Sequence, residues 1–159
     1  MSAMTQAMSQ LAIVAPTGAG VPNTFTMPCP GGGSIVMTFT TTPPQPQSNV
    51  FRSTSRTEYQ DCRNHTVTLN GDPYLETSSE HTFPSIGGPT GESSSTLRTT
   101  GGMRIDSGGV RGRAQFDCTM TANVRFVNGT PQVSFSSSGT ITLEQPLGST
   151  PVVRPCGPA

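Results

Sequence analysis

The strongest alternation of apolar and polar positions in the chain lies between Arg113 and Val127. Side chains at even positions form a mostly apolar set, and those at odd positions are polar or charged. This strict period of two predicts a long strand with one face towards a core and the other towards solvent. The inward set contains Ala114, Phe116, Cys118, Met120, Ala122, Val124 and Phe126.

The residues that follow complete a predicted hairpin. Asn128-Gly129 is a strong signal for a two-residue turn, because both residues tolerate a positive φ. The positions after it alternate again, so a return strand is expected beside the first one. Its inward set contains Val133, Phe135, Ser137, Gly139, Ile141 and Leu143.

Weaker alternation predicts further strands earlier in the chain. Residues 34–42 place Ile35, Met37 and Phe39 on one face. Residues 49–62 form a longer polar strand, with the charged side chains opposite Phe51 and Tyr59. Both segments are rich in Thr, aromatic or β-branched residues, which suit a pleated sheet.

Glycine-containing pairs predict where these strands turn. Asn70-Gly71 is a second hairpin signal, Gly101-Gly102 would separate two short strands, and Ser107-Gly108-Gly109 forms another turn. About eight short strands follow, at the spacing typical of antiparallel sandwiches. The predicted fold class is therefore all-β, an antiparallel β-sandwich of jelly-roll type, with a small barrel as the alternative.

The beginning of the chain departs from this pattern. Residues 16–33 are rich in Pro and Gly, and we expect them to be irregular up to Cys29. We therefore divide the chain into an extended N-terminal segment, 1–28, and a single β domain, 29–159. The segment contains one short apolar run that could form a strand, made of Leu11, Ala12, Ile13, Val14 and Ala15.

One short sequence motif occurs twice. Residues 61–73 read DCRNHTVTLNGDP and residues 117–131 read DCTMTANVRFVNGTP. The simplest interpretation is two similar hairpins that each offer one cysteine as an anchor, although chance similarity is the alternative in a chain so rich in turn residues. In the first copy Val67 and Leu69 alternate out of phase with Cys62, and a bulge near residues 63 and 64 would repair the register.

Charge and composition exclude several classes of partner. Nine Arg balance nine acidic residues, and the chain has no Lys. A neutral chain has no electrostatic reason to bind nucleic acid or an anionic membrane. No apolar run approaches the length of a membrane span. Abundant Thr, Gly and Pro fit a β protein with many turns better than disorder, because the second half is periodic.

The four cysteines, Cys29, Cys62, Cys118 and Cys156, are widely spread. An even number at such spacing predicts two disulfides in an oxidising compartment, with three pairings open. There is no Cys-x-x-Cys and there are only two His, so we expect no metal site and no cofactor. The N-terminus lacks the basic and apolar regions of a signal peptide, and we expect a secreted protein whose signal has been removed.

No set of residues forms a convincing catalytic site. Asp106-Ser107-Gly108-Gly109 resembles the nucleophile loop of chymotrypsin-like proteases over these four residues, but a turn accounts for them equally. His65 with Asp61 or Asp72 would be a candidate general base, and Asp61 and Asp117 are isolated candidates for calcium. The expectation is that the protein is not an enzyme.

The remaining function is structural or adhesive. A disulfide-bonded β protein of low charge can assemble when one copy adds a strand to the open sheet edge of another. We expect a self-assembling surface subunit, such as a pilus-like filament, with residues 11–15 as the donor strand. The alternative is a secreted monomeric module that binds glycan or protein through the loops 43–48 and 83–95.

Overall fold

The computed structural model describes residues 20–42, 48–83 and 91–157. These residues form one antiparallel sheet of nine strands. The strands are β1 (Asn23–Pro28), β2 (Ser34–Thr42), β3 (Val50–Gln60), β4 (Cys62–Asn64), β5 (Val67–Thr82), β6 (Glu92–Ser107), β7 (Val110–Val127), β8 (Thr130–Glu144) and β9 (Val152–Pro155).

The sheet is a meander in which most strands pair with their neighbours in sequence. The spatial order is β1-β2-β3-β5-β6-β7-β8-β9, and β4 pairs with β5 beyond the end of β3. β3 and β4 therefore act as one interrupted strand along β5. In the described part of the chain β1 and β9 are the two ends of this order, so the sheet is not closed.

The expected all-β, antiparallel architecture is confirmed, but the finer expectations are not. Within the described residues there is one sheet, and neither two packed sheets of a sandwich or jelly roll nor a closed small barrel is formed. The strands β5 and β6 are also longer than expected. Each contains 16 residues, where two shorter strands separated by a turn were expected.

Two predicted turns are wrong because both lie inside long strands. Asn70-Gly71 belongs to β5 and Gly101-Gly102 to β6. The register between these strands jumps from Gly71 opposite Met103 to Leu75 opposite Gly101, which is a bulge in β5. Gly101 has φ +109°, and a Cβ there would lie 2.1 Å from the Tyr74 carbonyl oxygen. These glycines permit a close approach of two strands.

Other predicted turns are confirmed. Asn128 and Gly129 connect β7 to β8 with φ of 51° and 77°, and Gly108 and Gly109 connect β6 to β7 with φ of 60° and 82°. Positive φ at both central residues is the requirement of a tight hairpin turn. β2 has the predicted bounds, whereas residues 23–28, expected to be irregular, form β1.

The register places the two alternating sets on opposite faces. Cross-strand partners share a face, and the pairs Phe116–Ile141, Ala122–Phe135 and Leu97–Met120 connect the apolar sets of neighbouring strands. We call this side the apolar face and the other side the polar face. The inward sets predicted for residues 113–127 and 133–143 both lie on the apolar face.

The described residues do not enclose a hydrophobic core, and their apolar side chains are concentrated on the apolar face. Among the described residues the buried apolar side chains are Cys29, Cys62 and Ala114, and no large side chain is fully buried. A domain normally buries such a face under a second layer. Here the described residues supply a single layer.

Both cysteine pairs are disulfides, as expected, and the structure determines the pairing. Cys29 bonds to Cys62, and Cys118 bonds to Cys156. The two bridges indicate an oxidising compartment. In the described residues the structure has no helix of the length and hydrophobicity needed to span a bilayer.

Candidate functional site: an open sheet edge and an apolar face

The most accessible backbone in the sheet lies along β8. β9 pairs only with residues 140–143 of this strand. Among the described residues, no strand covers the outer side of residues 130–138, which we call the β8 edge. All its side chains are exposed. Backbone N–H and C=O groups on such an edge are free to pair with another chain.

The second disulfide fixes where the covered part of β8 ends. Cys118 lies opposite Gly139 of β8, and the Cys156 N–H donates a hydrogen bond to the Gly139 carbonyl at 3.2 Å. A Cβ on Gly139 would lie 1.9 Å from the Asp117 carbonyl oxygen, and its φ is +98°. Only glycine fits here, so the C-terminal segment is held against β8 at this point, and Gly157 lies next to the Ser137 side chain.

The sequence of the β8 edge lacks the usual protection against pairing. Natural edge strands carry charges, Pro or bulges that prevent association. The edge reads TPQVSFSSS, with Pro131 next to the turn and no charged residue. The stretch from Gln132 to Ser138 therefore contains neither Pro nor charge. This stretch is long enough to accept a strand of ordinary length.

The apolar face is most exposed beside this edge. Phe135 is 78% exposed, Met120 54% and Val133 53%. These values are high for large apolar side chains that lie together on one face. We call the group the distal apolar patch; its members are Leu97, Met120, Val124, Phe126, Val133 and Phe135.

Charged side chains are segregated to the polar face. Within the paired strands of the described chain, Arg154 of β9 is the one Arg, Asp or Glu whose register places it on the apolar face. Six ion pairs form among the described residues, and their side chains are mostly half-exposed. Each contributes about 0–1 kcal/mol. Each pair places one positive and one negative side chain together, so the charges on the polar face cancel at each pair.

One polar cluster supports the bulge in β5. Asp72 accepts hydrogen bonds from Arg113 and, at 3.1 Å, from Gln115. The Gln115 amide lies over Gly102, where a Cβ would be 2.2 Å from Nε2. This arrangement holds the bulge against β6 and β7, so Asp72 has a structural role.

A shallow depression of about 490 Å³ lies on the polar face where β5 to β8 end near residue 91. Glu92 and Arg125 form an ion pair of 3.4 Å across it. Most of the remaining lining consists of amide and hydroxyl groups, which suit a polar ligand. They belong to Thr82, Ser93, Ser94, Asn123, Gln132 and Ser134, and Val124 and Val133 also line the depression.

The candidate catalytic and metal-binding residues are not brought together. His65 is in the turn between β4 and β5. Asp106 and Ser107 are the last residues of β6, and Gly108 and Gly109 form the β6–β7 turn. Asp117 pairs with Arg98 at 3.1 Å. In residues 20–42, 48–83 and 91–157 no cluster of three or more His, Cys, Asp or Glu could hold a metal ion.

The donor strand predicted at residues 11–15 lies outside the described residues and remains a prediction. The division of the chain at residue 28 also remains a prediction.

The β8 edge was not predicted from the sequence. A signal for it is present, because residues 126–143 contain no charged residue, whereas the other long strands contain Arg, Asp or Glu at several positions.

Comparison with known proteins adds no family assignment. No family model matches the chain, and no curated protein or solved structure is significantly similar to it. Functional reasoning therefore depends on the edge, the apolar face and the depression.

Proposed function

We propose that the protein is a secreted structural or adhesive subunit that assembles with itself, as in a pilus-like extracellular filament, by β-strand addition. The observation that carries this proposal is the β8 edge, which is long, uncharged and exposed. Main-chain hydrogen bonds to such an edge give affinity, and alternate side chains give specificity. The two disulfides favour an extracellular setting.

The donor in this proposal is the apolar run at residues 11–15 of a neighbouring copy. It is connected to the sheet through a Pro- and Gly-containing stretch. Strand addition is heterologous, since a donor segment of one copy meets an acceptor edge of the next. Heterologous contacts that do not close into a ring generate filaments.

Assembly of the oxidised full chain, observed by negative-stain electron microscopy, tests the proposal. We expect filaments from the full chain and none after deletion of residues 1–20. The double variant Ser134→Lys/Ser136→Lys should also abolish filaments, because charges on an edge strand oppose pairing. The matched control is Asn123→Lys/Thr121→Lys, which places the same charges on the cross-strand partners in the internal strand β7.

The outcomes separate the parts of the proposal. Filaments that persist after deletion of residues 1–20 would exclude the donor strand. Filaments that persist with the edge lysines, or disappear equally with the β7 lysines, would exclude the β8 edge as the acceptor. A full chain that remains monomeric at high concentration would contradict assembly altogether.

The depression on the polar face favours one alternative, a monomeric module that binds a glycan. Its Asn, Gln, Arg and Glu side chains offer the donors and acceptors that sugar hydroxyls require. A glycan array on the full chain tests it. Binding that is lost in Asn123→Ala and retained in Thr119→Ala, a β7 residue outside the lining, would favour this function over assembly.

A further inference from the structure

We propose that the apolar face is the docking surface for a second copy of this chain, so that two sheets pack face to face into one sandwich. The inference rests on the proposed self-association but concerns a different surface. The β8 edge accepts a strand within the plane of the sheet, whereas the apolar face packs perpendicular to it. Both contacts can be made by the same molecule.

The distribution of charge is what a buried face requires. In the described sheet, every Arg, Asp or Glu of β1 to β8 that has a cross-strand partner lies on the polar face. Arg154 lies on the apolar face, but it belongs to the edge strand β9. Burying an unpaired charge is costly, and no such cost arises over β1 to β8. In the placement of charged residues, the two faces therefore differ as the inside and outside of a sandwich do.

Four hydroxyl groups near the middle of the apolar face are paired with one another. Ser53 and Ser79 are hydrogen-bonded at 2.7 Å, and Thr77 and Thr99 at 3.2 Å, across neighbouring strands. All four are half-buried. Because these hydroxyls satisfy one another, a second layer can exclude water from them at little cost.

The area of the face matches a stable interface. Strands β5 to β8 have 15 to 18 residues each. At about 3.3 Å per residue and about 4.8 Å between strands, these four strands alone present roughly 900 Å². Stable protein interfaces bury about 800 Å² on each partner. One copy therefore offers enough surface for a dimer.

A second copy fits this face better than the chain's own apolar run. Five residues of extended chain, such as 11–15, reach only about 17 Å, whereas a strand of about 15 residues extends about 50 Å. A second sheet with the same alternation has the matching dimensions. Two such sheets pack about 10 Å apart with their strands roughly 30° from parallel.

Sedimentation velocity of the oxidised full chain across a concentration series tests this inference. The reference is the Ser134→Lys/Ser136→Lys chain, in which strand addition is blocked and whose lysines lie on the polar face. Into it we introduce Met120→Asp, in the distal apolar patch, or the control Thr119→Asp, the preceding residue of β7 on the polar face. We expect a dimer of the reference chain, a dissociation constant raised at least about tenfold by Met120→Asp, and no change with Thr119→Asp. Met120 is 54% exposed, so the monomer should still fold, and circular dichroism checks this.

A milder variant keeps the test usable if Met120→Asp does not fold. Val133→Thr preserves the β-branched shape and replaces one exposed methyl with a hydroxyl, and it should also weaken the dimer. The inference is overturned if the reference chain is a monomer at all concentrations, or if both Asp variants weaken the dimer equally. It is also overturned if deletion of residues 1–19 converts such a monomer into a dimer, which would mean that the chain covers its own face.

Failure of this inference is distinguishable from failure of the proposed function. Filaments of the wild-type chain, together with a dimer that Met120→Asp leaves intact, would leave strand addition standing and exclude face pairing. A dimer of the reference chain that Met120→Asp dissociates, with a wild-type chain that never forms filaments, would do the reverse.

Discussion

The motif that begins with Asp-Cys and continues to Asn-Gly occurs twice, and the two copies place these residues at different positions in their strands. In the second copy Asp117-Cys118 lies inside β7 and Asn128-Gly129 makes the turn. In the first copy Asp61-Cys62 lies at the break between β3 and β4, and Asn70-Gly71 lies inside β5. The hairpin turn there is made instead by His65 and Thr66.

Contacts distant in sequence explain the difference. Asp61 has φ 48°, and its backbone N–H donates a hydrogen bond of 2.9 Å to the Asn70 side-chain oxygen. Asn70 is thereby used as an acceptor inside a strand. The Cys29–Cys62 bridge fixes the same break. A dipeptide with high turn propensity therefore adopts the conformation that the paired strands around it require.

Removing each disulfide should have the largest effect. The bridges close loops with sequence separations of 33 and 38 residues, so loop entropy alone predicts a loss of about 4 kcal/mol for either. Cys29 and Cys62 are also buried, so Cys29→Ala/Cys62→Ala should cost about 1–2 kcal/mol more than Cys118→Ala/Cys156→Ala. Urea unfolding measures both. Equal losses would show that the two anchors are equivalent.

Replacing the glycine of each Asn-Gly pair should have an intermediate effect. A Cβ on Gly71 would lie 2.2 Å from the Pro73 carbonyl oxygen, whereas nothing lies within 4 Å of one on Gly129. Gly71→Ala should destabilise the protein by about 3 kcal/mol through this overlap. Gly129→Ala, where φ is +77°, should cost about 1 kcal/mol. Thermal unfolding compares them, and the reverse order would contradict the assignment of bulge and turn.

Replacing each asparagine by glycine should change the free energy of unfolding least, and the two variants should differ clearly from each other. Asn128→Gly should change the free energy of unfolding by less than about 0.5 kcal/mol, since glycine suits both positions of this turn. Asn70→Gly should cost about 1–2 kcal/mol, because it removes the acceptor for the Asp61 N–H and loosens a strand. Chemical denaturation checks both, and a tolerant Asn70 would mean that the hydrogen bond to Asp61 is unimportant.

Most features of the sheet could be predicted from the sequence, but the candidate site could be predicted only in part. Alternation correctly assigned the faces of β7 and β8, and the cysteine count correctly predicted two disulfides. The first copy is irregular, as its phase predicts, but the predicted bulge near residues 63 and 64 is wrong, because a hairpin turn at His65 and Thr66 separates Cys62 from Val67 and Leu69. The β8 edge was missed because an edge is defined by the strand that is not beside it.

Local features of the sequence are enough to specify an antiparallel, disulfide-bonded sheet with one apolar and one polar face. Each of these features depends on a period of two or on residue type, which are local properties. Where the chain turns, which cysteines pair, and the position of β8 next to a short strand are set by the tertiary structure. Those features depend on pairing between residues far apart in the chain. A pair such as Asn-Gly carries the same local preference whether it ends a strand or, as at Asn70, continues one.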